Sequence, residues 1–409
     1  MKKIILLSIV GVILLGALVA GVIWYQARIS DPSDTTAAPT QTTTAPTVPT
    51  ETTLPPVQVH IDSPMVSISL PILTETYTAD NAAEIFRRTF QDVVLNLPDA
   101  EIAKTVTLDL LKRMDANSSV LSAIQTSAYQ DYTGQDPWIP YYYKVFYNPQ
   151  RIDQTVLSLY GEEDAYGSSY SGTTGLSVTY NLLTGKALKL SEVLTEEGTA
   201  SEKLLQALLD ALASKKEEYM LFDDYATIIT GRFQTDLQQE SHWFFSTEGL
   251  CFFYSPYDIA PNSSGIVVAT VPYSALTGIL QDAYFPAEQP EFHGEMSGTA
   301  FDKADTSAFK HYATLITDPQ ASEYILHTNG ILYDVQVEQG QWIGGTYFRR
   351  DAAIFQANHI SPEDGIVLRA SLPESQSPLL LSYKCEGKTH RFYLTADSAT
   401  GNIVFTPVE

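Results

Sequence analysis

Two aromatic runs, Trp243 to Thr247 and Leu250 to Tyr254, meet at Glu248-Gly249. Glycine takes the positive φ that a tight reversal needs, so the two runs are predicted to be paired strands of a β-hairpin. Strands this close in sequence pair antiparallel. A third strand, Ile266 to Val271, follows a polar turn that contains Tyr257-Asp258-Ile259-Ala260-Pro261 and Gly265.

The rest of the chain is read around this meander. Val66 to Leu70 alternates with period two and reads as a strand. A helix is predicted over Ala79 to Leu95, with Ile85, Phe86, Phe90, Val93 and Val94 on one side, stopping before Pro98. A second helix is predicted over Ala100 to Met114, followed by strands near Trp138 to Tyr147, Gln154 to Tyr160 and Leu176 to Leu183. Leu204, Leu205, Leu208, Leu209 and Leu212 give Ser201 to Ala213 a helical core stripe, and another helix is expected over Tyr225 to Gln239. The fold class expected is α+β, an antiparallel sheet with helices packed on one side. Beyond a Pro- and Glu-rich linker over 283–298, a small mostly-β C-terminal domain is expected over 299–409. It has a short helix near Thr306 to Ile316 and an Asn329-Gly330 hairpin joining Glu323 to Thr328 with Ile331 to Val337. Strands at Gly344 to Arg349, Ala352 to Ala357, Ile366 to Leu372, Leu379 to Lys384, His390 to Leu394 and Asn402 to Phe405 complete a β-sandwich.

The order of strand, Tyr-Asp-Ile-Ala-Pro, Gly265, strand and Val271-Pro272-Tyr273-Ser274 resembles a bacterial extracytoplasmic domain of unknown function. That domain occurs in PdaC-type peptidoglycan deacetylases, as a non-catalytic part, and in RsiV-type anti-sigma factors that sense lysozyme. The Thr184-Gly185-Lys186 turn inside Tyr180 to Leu190, and the segments from Pro140 and Thr155, resemble further strands of the same two-part module. The resemblance covers about 57–282. It implies a binding or sensing role at the cell wall, with peptidoglycan or a cationic protein such as lysozyme as partner.

The apolar run Ile4 to Tyr25 follows Lys2-Lys3 and carries no charge. At 1.5 Å per residue it spans roughly 30 Å, the thickness of a bilayer core, so residues 1–30 are read as a transmembrane signal anchor. The two lysines hold the N-terminus inside and place the remainder outside the membrane. With only Met1 to Lys3 inside, direct sequestration of a sigma factor is not expected. Ten Thr and six Pro among the 26 residues from Asp31 to Pro56 make residues 31–56 a disordered linker, with a reach of up to about 80 Å. The net charge of −24, from 48 acidic and 24 basic residues, argues against nucleic acid and suits a cationic partner or simple solubility.

Motifs for catalysis are missing. None of the seven histidines (60, 242, 293, 311, 327, 359 and 390) stands four residues from another, so no paired metal-ligand signature is present and no metal or cofactor is expected. Leu221-Phe222-Asp223-Asp224-Tyr225 is superficially similar to the Thr-Phe-Asp-Asp-Gly motif of polysaccharide deacetylases, but the flanking Thr and Gly are replaced and no His-x-x-x-His follows. Asp223 or Asp224 is expected to cap a helix instead. There is no Gly-x-Ser-x-Gly elbow and no P-loop, and Cys251 and Cys385 are expected to be buried thiols in different domains. No catalytic residue is assigned, although a glycosidase-like carboxylate pair has no readable sequence signature.

Binding residues are sought in two turns. Gly161 to Gly175 reads as a loop that carries Tyr166 and Tyr170 among Gly and Ser, the composition of adaptable recognition surfaces. Tyr257 and Asp258 form the second candidate, and they also suit a packed turn in which Asp258 accepts backbone N–H bonds and the Tyr257 ring is buried. The functional expectation is a membrane-anchored, extracytoplasmic, non-catalytic binding module. A wall-modifying hydrolase or a structural envelope component are the alternatives.

Overall fold

Two short strands, β1 (Ile61–Asp62) and β2 (Ser67–Ser69), come first in the computed structural model, which describes residues 61–62, 66–134, 137–167, 170–196, 198–286, 294–318, 320–343 and 347–408. The expected anchor and Thr/Pro linker lie outside the described residues, as do 287–293 of the second linker. Among the described residues, no helix is long and apolar enough to cross a membrane. Strands β3 (Ile72–Thr78), β4 (Glu84–Gln91) and β5 (Val94–Asn96) lead into helices α1 (Ala100–Met114) and α2 (Ser118–Asp131). Asp99 starts α1 by accepting the Glu101 and Ile102 N–H groups, a cap worth about 1 kcal/mol, and Ala103, Val106, Leu110 and Met114 form its buried stripe.

Next come β6 (Tyr141–Ile152), β7 (Val156–Tyr166), β8 (Ser171–Asn181) and β9 (Lys186–Ala187). Helices α3 (Ala200–Ala213) and α4 (Tyr225–Asp236) precede β10 (Trp243–Phe245), β11 (Gly249–Tyr254) and β12 (Val267–Pro272). The C-terminal part holds β13 (Met296–Ala300), β14 (His311–Ile316), β15 (Glu323–Thr328), β16 (Leu332–Ile343) and β17 (Tyr347–Ile360). It ends with β18 (Asp364–Arg369), β19 (Leu379–Cys385), β20 (Lys388–Ala396) and β21 (Ile403–Pro407).

The fold is mixed α+β with a β-rich C-terminal region. A six-stranded sheet, β3-β4-β6-β7-β8-β9, is antiparallel except for the parallel β4–β6 pair. Val106, Leu110 and Ile124 of α1 and α2 pack on its inner face against Tyr143, Val145, Tyr147 and Leu159. The expected hairpin closes as β10-β11-β12, with Phe245 opposite Leu250. Leu204, Leu208, Ile229 and Phe233 of α3 and α4 cover one face of this small sheet, where Trp243, Phe245 and Phe252 point. Its other face, Phe244, Cys251 and Phe253, packs on Tyr160 of the large sheet. A bare Cα at Gly175 is required there, because a Cβ would come 2.4 Å from the Phe253 ring. The C-terminal part layers a five-stranded sheet, β1-β14-β18-β15-β13, on a seven-stranded one, β21-β20-β19-β16-β17-β2-β5, around a shared apolar core. Strands β1 and β2, which precede residue 70, thus belong to the C-terminal sheets.

Several local expectations are overturned. The helix expected over Ala79 to Leu95 is a strand: Ala79 to Ala82 forms a tight turn that folds β4 back on β3. A short apolar run fits either period, and pairing with β3 and β6 decides for the β-rich Ile-Phe-Arg-Arg-Thr-Phe segment. The helix expected near Thr306 to Ile316 is a single 3-10 turn followed by β14, which pairs parallel with β18. Asn329-Gly330 does not close a hairpin, since β15 and β16 lie in different sheets. Crossing between layers there places Leu326 and Leu332 in one core. The Gly161 to Gly175 segment is mostly ladder, with pairing from Gly161–Leu176 out to Tyr166–Ser171. Finally, Asp224 is the N-cap of α4 but makes no side-chain capping bond, and Asp223 pairs with Lys216 at 3.1 Å.

Arg151 near the end of β6 joins the parts. Only 4% exposed, its guanidinium donates to Asp153 at 2.7 Å, to the Tyr273 hydroxyl at 2.8 Å and to the Tyr284 carbonyl, and it lies over the Phe245 ring. Removing one member of a buried ionic network leaves the others unpaired, so Arg151→Leu is expected to lower unfolding free energy by about 3 kcal/mol in denaturant titration. A loss below about 1 kcal/mol would show that the network is dispensable.

Candidate functional site

Strand alternation sends Tyr143, Val145 and Tyr147 of β6 inward, and so leaves Tyr142 and Lys144 on the outer face. Tyr166 sits directly opposite Tyr142 on β7, and the two rings stack at 5.8 Å. Tyr141 turns its edge into Tyr166 at 5.7 Å, Trp138 packs on Tyr141 at 5.2 Å, and Tyr132 meets Trp138 at 5.4 Å. The result is a five-ring aromatic row at one end of the large sheet. Polar groups fix its members: Tyr141 donates to Asp131 at 2.9 Å, and Asn81 bonds the Tyr132 hydroxyl at 2.7 Å. The Trp138 indole N–H is buried without an acceptor among the described residues.

Charge of both signs borders the row. The Lys144 ammonium lies 4.5 Å from the Tyr142 ring centre and 3.9 Å from Asp164, and Arg87, opposite Tyr142 on β4, pairs with Glu84. Burial, followed by the Asp164 carboxylate, raises the Tyr142 pKa, so this hydroxyl stays protonated and can donate. Ile139, next to Trp138 in the chain, is 65% exposed. Tyr132 and Tyr141 pack inward against the core, so the partly exposed Tyr142 and Tyr166 are the rings that can hold a flat, partly apolar ligand face, such as a sugar ring, or an approaching cation.

The structure separates the two tyrosines expected on one loop. Tyr166 joins the outer row, whereas Tyr170, half-exposed, reaches toward Glu163 on the inner side, and burial with that carboxylate raises its pKa. Glu163 is itself buried and accepts from Asn117.

Tyr257 and Asp258 occupy another corner, after β11. The Tyr257 ring is 70% exposed and its backbone φ is 72°, so the buried ring expected of a packed turn is not formed. Asp258 accepts the Ser255 N–H at 3.0 Å and lies 3.6 Å from Arg232, which also binds Asp236 at 3.0 Å. His242 stacks on Phe253 beside them, its pKa lowered by burial and then by Arg232, against the pull of Asp236 and Asp258.

Among the described residues, no group of three His, Cys, Asp or Glu side chains is placed to hold a metal ion. Both cysteines are buried in different sheets, and burial raises the Cys251 pKa, away from a reactive thiolate. Of the residues in this row, Tyr166 was singled out from the sequence, and Tyr132, Trp138, Tyr141 and Tyr142 were not. For Tyr142 the signal available was the Tyr-Tyr-Tyr-Lys start of β6, whose alternate residues face away from the core, whereas Tyr141 shares the side of Tyr143 and packs against that core.

Residues 192–274 match the family model "Protein of unknown function (DUF3298)", so the chain carries a DUF3298 domain there. The chain is similar to a solved DUF3298-family member from Bacteroides fragilis at 15% identity and a TM-score of 0.39, with 54% of this chain and 96% of that one covered. A DUF3298-family protein from Pseudomonas aeruginosa PAO1 gives 15% identity, a TM-score of 0.33 and coverage of 57% and 98%. No curated protein matches.

Two outcomes are expected at the Tyr257 corner. Replacing Tyr257 with Gly relieves left-handed backbone strain and loses little packing, so the variant should gain about 1 kcal/mol and melt higher. A lower melting temperature would show that the ring packs. Because the folded state disfavours the His242 cation, its contribution to stability is full above about pH 6.5 and is lost as pH falls toward the lowered pKa. The stability difference between the native chain and His242→Gln should therefore shrink on acidification, and a pH-independent difference would refute the assignment.

Proposed function

We propose that this chain is a non-catalytic binding or sensing module, tethered outside a bacterial membrane and engaging the cell wall through the aromatic row. The row carries the reading: Tyr142 and Tyr166 present stacked rings on an outer sheet face, with Lys144, Asp164 and Arg87 around them. Sugar rings expose C–H faces that lie well on aromatic faces, and their hydroxyls bond the bordering charged groups. The apolar N-terminal run, the Thr/Pro spacer and the resemblance to the wall-associated module of PdaC- and RsiV-type proteins all support this placement. The DUF3298 match over 192–274 specifies no ligand and does not include the row.

A second ligand class, a cationic wall-active protein such as lysozyme, is favoured by the net charge of −24. Salt separates the two. Binding to a basic protein should weaken steeply as salt rises, because exposed charges are screened beyond about 8 Å at physiological ionic strength, whereas stacking on glycan should change little.

The full chain should sediment with purified peptidoglycan, and a Tyr142→Ala/Tyr166→Ala variant should bind about tenfold more weakly with its far-UV spectrum retained, two stacking contacts being worth about 1.4 kcal/mol. The same assay with lysozyme, at low and high salt, identifies the ligand class. Failure to bind either at low salt would sink the proposal, and turnover of muropeptides or release of acetate would favour a hydrolase.

A further inference from the structure

On the outer face of the seven-stranded sheet, a stretch across β17, β16, β19 and β20 is polar, whereas β2 beside it turns Ile68 into the core of the large sheet. Val335, Val337, Leu381 and Tyr383 point into the sandwich core, and the alternate residues point the other way. The strand register places four of these in one line across the sheet: Gln356 on β17 faces Gln336 on β16, which faces Ser382 on β19, which faces Arg391 on β20. This line floors a cleft of about 640 Å³. Asn148 to Gln150 at the irregular end of β6, Tyr160, and Thr247-Glu248 at the tip of the β10–β11 hairpin form its walls. Asn148 ties wall to floor by accepting the Ala353 N–H at 3.0 Å.

Two features of the floor ask for a ligand. Gln356 is only 4% exposed, yet its side-chain carbonyl oxygen has no hydrogen-bond donor among the described residues. An unsatisfied buried acceptor costs about 1–3 kcal/mol, which a donor entering the cleft would recover. At the other end of the line, the exposed Arg391 guanidinium makes no ion pair among the described residues, whereas the neighbouring Lys384 is held by Asp334 at 2.8 Å. The line therefore offers an acceptor at one end and an uncommitted bidentate cation at the other, with an amide and a hydroxyl between.

Three inter-strand steps of about 4.8 Å separate the ends by roughly 14 Å. An extended peptide covers about 3.3–3.6 Å per residue, so four residues match this span. We propose that the cleft binds a short extended peptide with a free C-terminal carboxylate. The carboxylate sits on Arg391 in the fork geometry guanidinium favours, and an N–H about four residues upstream donates to the Gln356 oxygen. Gln336 and Ser382 meet the backbone amides between. This site shares no residue with the aromatic row and stands or falls apart from the reading given to that row.

The test uses the full chain and tetra-L-alanine, with its C-terminal amide and chitotetraose as comparison ligands, followed by titration calorimetry. Tetra-alanine should bind, and the amide should bind at least tenfold more weakly. Gln356→Leu and Arg391→Gln should each weaken tetra-alanine by about tenfold, while Tyr142→Ala/Tyr166→Ala leaves it unchanged. Arg391 is exposed, so its variant reports on binding even where Gln356→Leu melts lower. Equal affinity for acid and amide, unaltered binding by Arg391→Gln, binding of chitotetraose in place of the peptide, or no binding of tetra-alanine up to its solubility limit would each overturn the proposal.

Discussion

A guanidinium withdrawn from water needs every donor answered, and Arg151 finds its partners in three different places along the chain. Asp153 is local, Tyr273 follows the third strand of the small sheet, and Tyr284 lies just beyond it. Because the charge cannot be left unpaired, these segments are fixed relative to β6. Burial and the neighbouring guanidinium act in opposite senses on Tyr273, and burial dominates, raising its pKa to about 12 and keeping its hydroxyl protonated. That hydroxyl also donates to the Ser246 carbonyl at 2.9 Å, which extends the network to the β10–β11 turn.

Once β6 is held, its other residues acquire their roles by alternation and register. Gln91 clamps the strand by bonding both the N–H and the C=O of Tyr147, at 2.7 and 3.1 Å. One end of β6 projects Tyr142 toward Tyr166, and the other presents Asn148 to β17. The same strand thus organises the aromatic row and one wall of the polar cleft. Both surfaces are consequences of a sheet whose inner face is sealed by α1 and α2 while its outer face is only partly covered by the small sheet.

The meander around Glu248-Gly249 and the helices α1, α3 and α4 were legible because their signals are local, two adjacent aromatic runs and a leucine stripe at helical spacing. Gly249, however, starts β11 without the expected positive φ and is needed instead because a Cβ there would meet the Val271 carbonyl at 2.1 Å. Asn329-Gly330 carries an equally strong local signal and misleads. Its turn chemistry is compatible with a hairpin and with a crossover, and the shared core of the sandwich requires the crossover. The segment around Phe86 fails for the complementary reason: its apolar spacing fits a helix or a strand, and the partners that select the strand lie on β3 and β6. Tyr166 and Tyr170 were read together as one loop, but Tyr166 ends β7 opposite Tyr142 while Tyr170 lies beyond the strand, toward Glu163, a separation that depends on the ladder.

The sequence by itself determined the α+β class, the antiparallel meander and the helices α1, α3 and α4, since each follows from neighbours within a few residues, whereas α2 was not read from it. Only the tertiary structure decided which tyrosines stack, that β1 and β2 complete the C-terminal sheets, and that Gln356 and Arg391 share one line across four strands. Those outcomes depend on strand register, and register is set by long-range burial of whole faces, which no local spacing encodes.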